Sequence, residues 1–140
     1  MSTVLINEEQ PSKIWSYGLW ALQGLMAITF GMAGFMKLTT PITQLAQNLP
    51  WVTSVSEIMV RFIGLSEFAG ALGLILPSIT KIKPSLTPLA GLGLALIMIL
   101  ASIFHITRGE FVVVPINLIF TSICLLISYG RSKKAVIESK

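Results

Sequence analysis

With 140 residues the chain has room for one domain. Its residues are 11% charged and 54% hydrophobic, too few charges to cover a water-soluble globule, in which roughly a quarter of residues are charged. The formal net charge is +4, yet the basic residues are not grouped with aromatics as a nucleic-acid footprint would be, which excludes nucleic acid as a partner. A single cysteine, Cys124, excludes an internal disulfide or a two-thiol relay within one chain. The class that fits is an all-α polytopic membrane protein whose surplus apolar surface is solvated by hydrocarbon.

Crossing about 30 Å of hydrocarbon takes about 20 helical residues. Residues 1–13 read as a short N-terminal segment, with Ser12 suited to cap the first helix. The first span is expected over 14–36, with Gln23 its most polar interior side chain. No small-residue cleavage site stands after this run, which is long for a signal peptide, so it reads as a retained helix. Residues 38–53 form a loop in which Thr40-Pro41 could start a short interfacial helix and Trp51 suits the headgroup zone. The second span, about 55–76, opens on the capping-box spacing Ser54-x-x-Glu57 and stops before Pro77. The third, about 88–106, has Pro88 in its first turn and Gly109 at its exit. The fourth, about 111–129, tolerates Pro115 in its first turn or so and ends at Gly130. Residues 131–140 are a basic tail, and 14–130 form one four-helix membrane domain.

Orientation is set by the basic residues. Lys13, Lys81, Lys83, Arg131, Lys133, Lys134 and Lys140 lie on one side, and only Lys37, Arg61 and Arg108 on the other. By the positive-inside rule both termini are expected in the cytoplasm. The outer side then carries the 38–53 loop and a tight turn at 107–110.

Small and polar residues recur on one stripe of each helix: Gly24, Ala27, Gly31, Gly34 and Lys37; then Gly64, Glu67, Gly70 and Ala71. The third and fourth stripes are Gly91, Ala95, Met98, Ser102 and His105, and Asn117, Thr121, Cys124 and Ser128. Such stripes let membrane helices approach closely where no hydrophobic drive exists. Lys37, Arg61, His105, Arg108 and Glu110 fall near the outer helix ends, with Asn117 about two turns in and Glu67 near mid-bilayer. The cytoplasmic half holds almost no polar side chains, so the asymmetry points to a polar pocket at the outer end. A carboxylate at membrane depth costs roughly 2.5–3.5 kcal/mol or more unless paired, protonated or hydrated; Glu67 therefore needs a partner or a purpose. Arg61 has a structural partner in Glu57 one turn before it, and His105 could handle a proton or bind a ligand. The candidate ligand-binding residues are Lys37, Arg61, Glu67, His105 and Asn117. No catalytic residue can be named, and a lone histidine is no metal site.

The motifs Gly31-x-x-Gly34-Phe35-x-Lys37-Leu38, Arg61-Phe62-Ile63-Gly64-x-x-Glu67, Gly70-Ala71-Leu72-Gly73-Leu74-Ile75-Leu76-Pro77 and Leu86-Thr87-Pro88-Leu89-Ala90 stand in order along the chain. With His105-x-x-Arg108-Gly109-Glu110, Asn117-Leu118 and Tyr129-Gly130-Arg131, they resemble the DoxX-like family of small four-helix bacterial membrane proteins over roughly 18–131. The resemblance implies the bacterial inner membrane. Founding members are membrane subunits of a thiosulfate:quinone oxidoreductase, and some relatives are linked to thiol redox balance or to maturation of periplasmic proteins. One cysteine disfavours a dithiol-oxidase role, whereas quinone chemistry needs an apolar slot for ring and tail plus hydrogen-bonding and proton-handling groups, which Glu67, His105 and Asn117 could provide.

The residues leave two readings. The chain could be a redox-associated subunit that binds a quinone or similar amphiphile in the outer half of the bundle. Alternatively it is a non-catalytic partner that stabilises another membrane or exported protein. A proton-coupled carrier would need the pocket to open on both sides. The sequence leaves open whether the chain is an enzyme and whether it forms oligomers, and quinone is the one cofactor considered.

Overall fold

The computed structural model describes residues 13–140, so Ser12 and the segment before it lie outside the described residues. The described chain is helical, without strands: α1 (Lys13–Thr39), α2 (Ile42–Asn48), α3 (Glu57–Thr80), α4 (Leu86–Thr107) and α5 (Val114–Tyr129). Four helical stretches are long and apolar enough to cross a bilayer: α1, α3, α4, and α5 with its flanking turns over Phe111–Lys134. The short α2 and a 3-10 turn at Pro50–Ser54 occupy the loop where an interfacial helix is expected from sequence.

The long helices form a ring. α1 packs along α3, α3 against α4 and α4 against α5, while α5 touches α1 more sparingly. Leu19, Met26, Phe30, Leu74, Leu94 and Ile127 fill the narrow centre. Large apolar side chains such as Ile28, Leu96, Leu100 and Leu118 face outward, the surface that a hydrocarbon solvent allows.

The α1–α3 seam is the tightest, and glycine makes it so. A Cβ on Gly34 would stand 2.6 Å from the Gly64 carbonyl oxygen, and one on Gly64 would stand 2.7 Å from Lys37 Cβ. Two backbones in contact leave no room for either. This close approach sets Lys37 beside the face of α3 that carries Glu67.

Helix ends differ from the sequence expectation at three places. First, Ser56 rather than Ser54 caps α3: its Oγ accepts from the Met59 amide at 3.2 Å. Ser54 is instead engaged by the Arg108 guanidinium. Second, α3 does not stop before Pro77 but runs to Thr80, ending at Lys81 in the left-handed conformation (φ 58°). Proline cannot bond the carbonyl four residues back, here that of Gly73. Thr87 Oγ1 supplies the missing donor to Gly73 O at 3.1 Å, so the helix passes through Pro77 with that acceptor satisfied. Third, residues 130–134 are not a free tail. They form a wide π-type turn that buries Arg131. Between α4 and α5 the chain reverses at Gly109, whose φ of +74° suits glycine.

Candidate functional site

Lys37 lies in the last turn of α1, and Glu67 sits about 15 Å along α3 from Glu57, at 1.5 Å per residue. Their side chains meet inside the bundle. Lys37 Nζ donates to both carboxylate oxygens, at 2.8 Å and 3.0 Å. The Glu67 side chain is 3% exposed and that of Lys37 11%. The ammonium therefore neutralises the carboxylate whose burial would otherwise be costly.

Above the pair lies a small hood made by α2 and the Pro50–Ser54 turn. Leu45 and Val52 pack on Val60 of α3, with Ile42, Leu49 and Val55 around them. The hood places the Trp51 ring 5.9 Å from Lys37 Nζ and 6.4 Å from the His105 ring. Phe104 stacks edge-on to both Trp51 and His105. His105 Nδ1 is closed from solvent and has no hydrogen-bond partner among the described residues. It stands 3.5 Å from Glu110 Oε2, on the turn after α4. Arg108 bonds both Glu110 and Ser54, which pins that turn to the hood. The Arg108 guanidinium holds the Glu110 carboxyl below the usual carboxylate range.

Arg61 takes a supporting place. It pairs with Glu57 at 3.0 Å, and one Nη donates to the carbonyls of Lys37 and Thr40 at 2.6 Å and 2.7 Å. It thereby satisfies orphan acceptors at the end of α1 and fixes the backbone of Lys37. An open, mainly apolar groove of about 450 Å³ runs beside it, lined by Leu38, Glu57, Ile58, Phe62 and Leu65, and does not include Glu67. Asn117 stands apart: it is half-buried on α5, and its recorded bond is a backbone one, from Thr121 Oγ1 at 2.8 Å. Of the five candidates the structure gathers Lys37, Glu67, Arg61 and, across Trp51, His105. In sequence Trp51 reads only as a headgroup anchor. Its place against Lys37 and His105 depends on how the 38–53 loop folds back, which helical spacing does not reveal. Among the described residues no three His, Cys, Asp or Glu side chains gather as a metal site would need.

The opposite end is not featureless, contrary to the sequence expectation. Gln23 Nε2 donates to Leu74 O at 2.5 Å and to Ser78 Oγ at 3.3 Å. Ser78 and Thr87 share a hydroxyl bond of 2.8 Å. Arg131 Nε donates to Gln23 Oε1 at 2.6 Å, and one Nη donates to Ala135 O at 3.0 Å. One buried polar network thus joins α1, α3, α4 and the turn after α5. In sequence Gln23 reads as an isolated polar residue and Arg131 as a tail charge. A Gln at helical spacing from small residues was the available signal.

A four-helix membrane bundle with a buried lysine–glutamate pair under an aromatic hood is the class that fold and site define. The sequence model of the DoxX-like family matches residues 21–127, and the chain belongs to that family. No curated protein and no solved structure matches it.

Proposed function

We propose that the hooded end of the bundle binds a quinone or a similar amphiphile with a carbonyl-bearing ring, and that the chain serves as a redox-associated membrane subunit. The observation that carries this reading is the buried His105 imidazole set edge-on to the Trp51 ring, with Glu110 Oε2 3.5 Å from its Nδ1. Glu110 stands beyond the usual N–H···O range of that nitrogen, so the imidazole keeps hydrogen-bonding capacity to spare. A ligand carbonyl would accept an N–H hydrogen bond from the imidazole, and the flat ring would lie on Trp51. The Lys37–Glu67 pair on the other flank of Trp51 would offer a charged hydrogen-bonding partner near the same ring. The basic residues support placing this end on the outer face of a bacterial inner membrane, with both termini cytoplasmic.

The test is extraction of protein purified in mild detergent, with the lipid-soluble fraction resolved by chromatography. Quinone should be retained by the unaltered chain and lost from His105→Ala at an unchanged melting temperature. A purely structural partner would retain none in either form, and that result contradicts the proposal.

A further inference from the structure

The end of the bundle away from Trp51 contains a buried cation without a counter-charge among the described residues. Arg131 is 4% exposed. The ion pairs among the described residues all lie at the other end, and Glu138, the nearest carboxylate in sequence, is exposed. Arg131 donates to two neutral acceptors, Gln23 Oε1 and Ala135 O. Its remaining Nη is closed off, with no partner among the described residues. A guanidinium offers donors in a planar fork that matches a phosphate or carboxylate, and here part of that fork is unused.

The surroundings select among anions. The Trp20 ring lies 5.1 Å from the guanidinium carbon, and the Trp15–Tyr129 pair at 6.3 Å marks headgroup depth at this end. Exposed Lys81, Lys83, Lys133 and Lys134 stand on the adjoining turns. An oxyanion attached to a lipid meets all three features at once: aromatic belt, basic rim and buried fork.

We propose that Arg131 anchors a site for a phosphate ester, reached when Trp20 swings aside, with the lysines gathering the anion from the adjoining leaflet. The site is separate from the hooded end and does not rest on the quinone reading. Its test uses the full chain purified in a neutral detergent, with phosphatidylglycerol or inorganic phosphate as the added probe. Thermal unfolding midpoints against probe concentration give the affinity. Phosphatidylglycerol should bind the unaltered chain, Arg131→Gln should lose about tenfold or more in affinity because a charge-assisted bond is gone, and Lys133→Gln with Lys134→Gln should lose less. Inorganic phosphate acting as strongly as the lipid assigns the site to a soluble phosphate. Equal lipid binding by Arg131→Gln overturns the proposal.

If Arg131→Gln does not fold, the unaltered chain decides the matter through salt. A buried pair is screened far less than surface lysines, so binding should survive about 0.5 M sodium chloride, where the Debye length is only about 4 Å. Binding abolished by that salt overturns the proposal. So does a Glu8→Gln, Glu9→Gln variant that melts lower without lipid and binds the lipid more tightly than the unaltered chain, since those carboxylates would then be the counter-charge.

Discussion

Lys37 and Glu67 are buried together, so neither can be altered without stranding the other. Glu67→Gln leaves an ammonium facing an amide, and Lys37→Met leaves a bare carboxylate. Each should cost about 3–5 kcal/mol of stability, while the double variant should cost less than either single change. Thermal unfolding of the three variants in detergent checks this, and additive losses would mean that the pair is not coupled. Glu110 gives a second expectation. Its carboxyl is held below the usual value by Arg108, so it contributes stability above the unfolded pKa of about 4.3. That contribution should fade as pH falls below this value through the lowered one. Arg108→Met should flatten the acid limb of a stability–pH profile, and an unchanged limb would argue against the contact. At this scale the sequence was informative about Glu67, because a carboxylate among glycines has few roles. It was silent on how His105 meets Glu110, which depends on the exact reach of the turn after α4.

Among the elements, α3 shows how a local rule is overridden. Proline after a long apolar run reads as a helix stop, yet α3 continues because Thr87, in the first turn of α4, reaches the carbonyl that Pro77 leaves free. Thr87→Val should cost about 1–3 kcal/mol by leaving that acceptor unsatisfied. Restoring the amide with Pro77→Ala should recover the part of the loss that comes from Gly73 O, leaving the part from the Ser78–Thr87 hydroxyl bond, and an equal loss in both backgrounds would show that the two residues act separately. The α1–α3 seam gives a graded comparison. An alanine at Gly34 meets backbone atoms of Gly64 and Phe68, whereas the nearest atoms to one at Gly70 belong to the Leu94 side chain. Gly34→Ala should lower the melting temperature more than Gly70→Ala, because backbone cannot rotate away. The stripes of small residues were visible in sequence. Which glycine meets backbone and which meets a movable side chain was not, since that is set by the distance between helix axes.

For the whole molecule, hydropathy alone was enough to count four spans, and the apolar outer surface is built from the same residues. The distribution of polar groups was only half legible. The hooded end could be anticipated because its charges sit at helix termini. The Gln23–Arg131 network could not, because it depends on a π-type turn that carries a nominal tail residue back into the bundle. The central claim concerns the hooded end, and Trp51 reports on it directly. In a variant carrying Trp15→Phe and Trp20→Phe, Trp51 is the remaining indole, and a quinone stacked on it quenches its fluorescence. Titration with a short-chain quinone should give saturable quenching that is lost in His105→Ala. Quenching that rises linearly without saturation, or that is the same with and without His105, would contradict the account.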